Sequence, residues 1–510
     1  MHFDQALLAD VVLLVNGFAV GGAAFRSFNR HGCTFSEAGA YSLMTLLMVQ
    51  SWLGQVLLMA GAPSLYLPLL LAVALPGLRT ARPVGRLLAA QLRPALNFSR
   101  SHPLAVFGLG TIWGYTTVIC AWPMLRLHGT VLERLALLWR HGGSLFSVPG
   151  STAGMALPVL NHVVFTAPWQ PPLALATANL CAYLVIGLGT YALCRRYAWP
   201  SMAVTVTLIV VSMPRLVHQG STADSELLPA AAALTVLLAL YRSLERPHGQ
   251  DLLMLVCTLA FSVSGGRLCY LMPALLLALS LIQLGRRHTL GLWSAGAGHR
   301  IKQLAAAVAV VAVFSQLPWV GANLAAGKAW IGSPVPDEMV FNADPLGGTV
   351  GNLARYTFLI IDLPDGIDRF SRWALGASPL GALKQLYRWA VADHLADRGA
   401  AAAFDLSWSA PYNQVWFGPA GFLLVIPSLC VALLRGPQRL KATALAMLAY
   451  WILIALIVAW KPGNARLMTR FFVCSGFFMA FAMPPWRLKR NGRILLQILG
   501  IMIMAHAILA

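Results

Sequence analysis

Acidic residues are scarce in this chain, with 17 aspartates and glutamates in 510 residues against 37 lysines and arginines. Charged residues total 11%, where a soluble domain carries roughly a quarter. Hydrophobic residues make up 58% and the mean hydropathy is +0.70. That is more apolar surface than a water-soluble core can hide, and the surplus has to face lipid. The composition excludes an ordinary soluble domain and points to a polytopic membrane protein.

Paired cysteines are missing as well. The eight cysteines stand singly at 33, 120, 181, 194, 257, 269, 430 and 474, and none forms CxxC. They read as buried thiols, which excludes a disulfide frame or a thiolate metal site. The twelve histidines show neither HxH nor HExxH, so no helix signals a metal site. The stretch MHFDQALLADVVLLV has no basic head of the signal-peptide kind and reads as a retained first span. The net charge of +20 does not indicate nucleic-acid binding, because the basic residues fall in short clusters between apolar runs. Arg195-Arg196, Arg286-Arg287-His288 and the 487–490 cluster are examples.

What the chain has in abundance is apolar runs. They fall near 6–24, 39–60, 63–78, 104–123, 172–193, 199–213, 225–241, 252–265, 268–284, 303–320, 416–434, 440–460, 470–484 and 494–510, which predicts about fourteen spans. The segment 79–100 carries Arg79, Arg82, Arg86, Arg93 and Arg100, and by the positive-inside rule it belongs in the cytoplasm. Counting from there places 124–171 and 321–415 on the opposite face. The second of these holds nine of the 17 acids, together with the pairs Arg372-Trp373 and Arg388-Trp389. Gathering polar loops on one face puts binding or chemistry there. The expected architecture is an all-α transmembrane bundle of about 12–14 spans. Residues 1–103 form amino-terminal helices, 104–320 a core with its first outer loop at 124–171, 321–415 a large outer segment, and 416–510 carboxy-terminal helices.

At STADSELLP, Asp224 and Glu226 head a long uncharged run. Ser221 and Thr222 suit a helix cap, and acids suit the positive end of a helix. Pro229 is expected to kink that helix.

Six phrases, in order over roughly 104–484, carry a resemblance. They are LWRHGGSLFSVPG with MALPVLNHVVF, MPRLVHQGSTADSELLP, LAFSVSGGRLCYLMP, LPWVGANLAAGKAWIGSPVP, PYNQVWFGPAGF and ARLMTRFF. The chain resembles integral-membrane glycosyltransferases of the GT-C superfamily, in particular the bacterial type that uses a polyprenyl-phosphate-linked sugar. It departs from the pattern where WPMLRLHGTVLER lacks the early aspartate and where Gln414-Val415 replaces a Glu-Asp pair.

The resemblance implies inverting sugar transfer on the periplasmic side of a bacterial inner membrane. That chemistry needs a carboxylate for the acceptor hydroxyl, cations for the departing phosphate and an apolar groove for the tail. Glu133 is the expected base, with Asp224 as its alternative. Arg267, Arg466 and Arg470 would hold the donor phosphate, and His128, His162, His218, Gln219 and Glu226 would line the pocket. No cofactor is called for; a divalent cation is compatible with the chemistry but not signalled. The expected partners are membrane lipids, the polyprenyl-phosphate sugar and other subunits of a membrane complex, with no nucleic acid. A second reading keeps the fold without catalysis, as a structural or lipid-binding subunit. A transporter ranks below both, since no internal repeat is visible and most charges sit at span ends.

Overall fold

The computed structural model describes residues 15–121, 172–221, 226–263 except 247, 270–288, 317–325, 341–361 except 343, 365–395, 417–483 and 490–509, with 309, 315, 327, 398, 400, 404, 406 and 408 as single residues. Every regular element among them is helical; two isolated bridges, Phe341 with Val458 and Ala400 with Trp460, are the extended pairings. The chain divides into two units, one of Met1–Val106, Trp113–Leu193 and Gln219–Pro334, the other of Phe107–Ile112, Cys194–His218 and Val335–Ala510.

The first unit begins with a π-turn, Gly17–Gly21, that runs into α1 (Gly22–Arg30). Then come α2 (Phe35–Met59), α3 (Tyr66–Leu78), α4 (Ala81–Ser101), α5 (Pro103–Ala121) and α6 (Pro172–Cys194). In the second unit lie α7 (Pro200–Val211) and the start of α8 (Pro214–Ser221), and the first unit resumes with α9 (Leu227–Glu245), α10 (Gly249–Val263), α11 (Leu271–His288) and α12 (Leu317–Ala325). The second unit continues with α13 (Gly347–Ile360), α14 (Asp365–Leu375), α15 (Pro379–Tyr387), α16 (Gly418–Arg435), α17 (Gln438–Ile457), α18 (Thr469–Ser475), α19 (Phe478–Ala482) and α20 (Arg490–Leu509). The punctuation is local. Prolines open α7, α8 and α15 at the first position, where the missing N–H has no helical partner in any case.

Among the described residues, three helices are long and apolar enough to cross a membrane: α9, α16 and α17. The pair α7 and α8, bent by 68°, makes a fourth if counted as one span. Six further apolar helices among the described residues run 10–17 residues. Within the described residues, some apolar runs continue through a break that a helix does not. The expected span 199–213 stops at Val211 ahead of Pro214, and 470–484 is split between α18 and α19.

The core of the first unit is α9. Every residue from Leu227 to Leu244 is buried, so this helix is enclosed by protein rather than by lipid. The expected cap is not what starts it. Ser221 closes α8, and Glu226 occupies the N-cap of α9 without a capping bond from its side chain. Pro229 falls in the first turn, where it costs no helical hydrogen bond and need not kink the helix.

At the carboxy-terminal end of α9, Arg242 lies between two acids. Its Nη1 is 2.6 Å from Glu37 of α2 and its Nε is 2.9 Å from Asp251 of α10. The Tyr41 hydroxyl donates to Asp251 at 3.3 Å, and the Thr34 backbone N–H donates to Glu37 at 2.9 Å. Arg242, Glu37, Asp251 and Tyr41 are all buried, so three helices are joined through an ion cluster screened from water.

Nearby, α3 meets the π-turn at backbone distance. A Cβ on Gly77 would stand 2.6 Å from the Ala19 carbonyl oxygen, an approach that small residues allow between helices. Gly77→Val should therefore destabilise the chain by roughly 1–3 kcal/mol through overpacking. A lower unfolding temperature in detergent would register it; an unchanged one would mean that the two backbones part without cost.

In the second unit Asp368 organises the corner between α14 and α15. Its Oδ1 accepts from Ser378 Oγ at 2.7 Å and from the Leu380 N–H at 3.0 Å, while its Oδ2 is 2.7 Å from Arg372 Nη2. Ser378 in turn caps α15 by accepting from Gly381 N–H at 2.9 Å. These contacts, the Ser378 bond foremost, hold the Asp368 carboxyl below the ordinary aspartate range. A depressed carboxyl stabilises the fold above its unfolded value and stops doing so as pH falls through its folded value. Amide exchange at 378–382 should therefore accelerate in acid below the ordinary aspartate range, and Asp368→Asn should remove most of that acid dependence. An unaltered pH profile in the variant would contradict this role.

Candidate functional site

The carboxy-terminal end of α17 poses a problem of unmet hydrogen bonds, since the last carbonyls of a helix have no partner within it. Two asparagines solve it. Asn352 of α13 donates through Nδ2 to the carbonyls of Ala455 at 3.0 Å and Val458 at 2.9 Å. The Asn342 backbone N–H donates to Ile457 at 3.0 Å. Asn352 Oδ1 then accepts from Arg355 Nη1 at 3.0 Å, and the same guanidinium nitrogen donates to the Arg398 carbonyl at 2.9 Å.

After the cap, the chain runs extended through Val458–Trp460 and tightens into a 3₁₀ turn, Pro462–Met468, that leads directly into α18. Tyr450 of α17 ties the turn down by donating to the Leu467 carbonyl at 2.8 Å, and Asn464 does so by donating to Ala459 at 2.9 Å. Tyr356 sits beside Asn464, Tyr450 and Arg355, and its buried hydroxyl makes no hydrogen bond among the described residues. Burial pushes the Tyr356 phenol well above its ordinary range, only partly offset by the neighbouring Asn464 amide, so it stays a neutral phenol rather than a base.

Arg466 and Arg470 belong to this turn and to the first turn of α18. Arg470 is 1% exposed, as is Arg355, and the two are among the largest fully buried side chains. Arg466 is half-buried. The elements that cap and follow the end of this long apolar helix thus carry three arginines, Arg355, Arg466 and Arg470, together with amides and phenols. Such a set can neutralise an anion such as a phosphate while donating several hydrogen bonds to its oxygens. The described carboxylate tied to it is Asp344, which accepts from Gly347 N–H at 3.0 Å and lies 3.8 Å from Arg398 Nε.

The other expected site residues are distributed differently. His218 is half-buried in the second unit. Gln219 and Glu226 are buried in the first, where Asn179 Nδ2 donates to the Gln219 carbonyl at 3.0 Å. Glu133, Asp224, Arg267, His128 and His162 lie outside the described residues, as do Gln414 and Val415. Among the described residues no group of three or more histidines, cysteines and acids is placed to hold a metal ion. Sequence reasoning missed Asn352, Arg355, Tyr356 and Asn464. The one visible signal was Arg355, a lone cation in the apolar stretch LARYTFLII.

In the aromatic-basic pairs of the large outer segment, Trp373 and Trp389 are 82% and 71% exposed, and Arg372 and Arg388 are exposed too, Arg372 while paired with Asp368. Comparison with family models, with curated proteins and with solved structures returns no match.

Proposed function

We propose that this chain is a membrane-embedded glycosyltransferase that takes a sugar from a polyprenyl-phosphate donor to an acceptor on the periplasmic side. The observation that supports the reading is the burial of two arginines, Arg355 and Arg470, in the elements that cap and follow the end of α17, a helix apolar enough to accompany an isoprenoid tail. In the transfer, the acceptor hydroxyl oxygen bonds to the anomeric carbon and the bond from that carbon to the phosphate oxygen breaks. The electron pair leaves with polyprenyl phosphate, and the hydroxyl proton passes to a carboxylate. Arg470 and Arg466 would stabilise the charge on the departing phosphate. Glu133 or Asp224 would take the proton, with Arg267 as a third cation and His128, His162, His218, Gln219 and Glu226 lining the pocket.

The test is reconstitution of the full chain in liposomes with a panel of radiolabelled polyprenyl-phosphate sugars. Time-dependent conversion of the donor to polyprenyl phosphate is expected. Failure of the chain to bind polyprenyl phosphate at all would overturn the reading.

A second reading, a catalytically inactive subunit with a structural or lipid-binding role in a membrane complex, draws on how the buried acids are used. Glu37 and Asp251 are committed to Arg242, and Asp368 to a helix corner. Binding of polyprenyl phosphate without any transfer would select this alternative.

A further inference from the structure

Helix α4 is a basic helix whose far end stands clear of the protein. On a helix of 3.6 residues per turn, Arg82, Arg86, Arg93 and Arg100 fall within a sector of about 40°, a stripe of about 27 Å along the axis. All four are exposed, and Arg79 in the preceding turn is exposed too. The opposite face carries Val84, Leu87, Leu88, Ala95 and Phe98, in a sector of about 100° centred across the helix from the arginines. Only the start of that face is docked. Val84 is buried against Gly22 of α1, whose added Cβ would stand 3.4 Å from Val84 Cγ2. Further along that face, Leu88 is 43% exposed, Ala95 is exposed and Phe98 is half-buried.

Charge decides what can cover this helix. Residues 38–132 contain no aspartate or glutamate, and the acid before them, Glu37, is buried against Arg242. Successive arginines of the stripe are about 6–10 Å apart along the axis, about one screening length at physiological salt. They repel one another, and this part of the chain offers no carboxylate to relieve them. The helices before and after α4 are apolar and carry exposed large side chains, including Leu69, Leu71, Leu75 and Phe107.

We propose that α4 lies in the surface of the membrane and binds acidic phospholipids. Its leucine and phenylalanine face enters the acyl boundary, and its arginine stripe takes the lipid phosphates as ligands. Neither half suffices alone: the apolar face is short, and the arginines need phosphates close together in one plane. The assignment is independent of any transfer chemistry.

The test uses the full chain in nanodiscs of phosphatidylcholine alone or with phosphatidylglycerol added, read by amide hydrogen exchange over 88–101. One basic residue near an acidic leaflet contributes about a fivefold change in partition, so four justify an expected slowing of at least about tenfold in the acidic discs. The variant R82Q/R86Q/R93Q/R100Q should lose that difference, and the milder R93Q/R100Q should lose part of it. The variant R246Q/R388Q/R398Q/R435Q, which removes as many charges elsewhere, should keep it. Equal exchange in the two membranes would overturn the proposal. So would equal protection in detergent, which would mean that protein rather than lipid covers the helix.

Discussion

Replacing Arg242 by alanine is expected to cost the fold about 3–5 kcal/mol, the penalty for breaking a buried ion pair. With Arg242 gone, Glu37 and Asp251 would face each other as two buried carboxylates with no cation between them. Folded proteins hold only roughly 5–15 kcal/mol in reserve, so a large part of that reserve would be spent. Salt would rescue little, since screening acts on exposed charges far more than on enclosed ones. The measurement is the unfolding temperature in detergent, together with the fraction of chain eluting as a monodisperse species. The triple variant R242M/E37Q/D251N separates charge from packing, because it removes cation and carboxylates together while keeping similar volumes. It should recover much of the loss, as uncharged replacements of buried ion clusters do. A single Arg242→Ala chain as stable as the parent would show that the cluster is not an anchor of the first unit.

A second large effect is expected at Arg470, on activity rather than stability. If the donor phosphate is held at the end of α17, then Arg470→Gln removes a fixed cation from the place where charge develops. Losses of one preorganised donor in such sites run to about 10²–10³ in kcat. Arg470→Lys should restore part of the rate, because it keeps the charge but loses the planar fork. Arg466→Gln should cost less, since Arg466 is half-buried and more exposed to water. Burial of Arg470 makes a folding control necessary, and Arg470→Gln should be compared with the parent only where unfolding temperatures agree. Unchanged donor turnover in a folded Arg470→Gln chain would remove this centre from the proposed function.

Much of the helical frame was legible in the sequence. The runs 172–193, 225–241 and 440–460 coincide closely with Pro172–Cys194, Leu227–Glu245 and Gln438–Ile457. The break at Pro214 became visible only with the 68° bend between α7 and α8. The candidate site was legible only in part. Arg466 and Arg470 were visible as basic residues at the head of an apolar run. Their neighbours were not, because Asn352 caps a helix end more than a hundred residues away, and nothing local distinguishes it from a surface amide. The start of α9 misled for the same reason. Ser221 and Thr222 make a plausible cap by spacing, but Ser221 belongs to the helix before.

Composition and periodicity by themselves determined that this chain is helical and rich in apolar segments, and where most of those segments lie. These features are set by neighbours within a turn or two, through hydrophobic run length, proline and helix ends. Tertiary structure alone decided which helix became the core and which charges became partners. Arg242 meets Glu37 across 205 residues of sequence, and α9, long and apolar enough to cross a membrane, is wholly enclosed. Such choices depend on which surfaces pack together and leave no buried charge unpaired, a condition on the whole chain that no single stretch records.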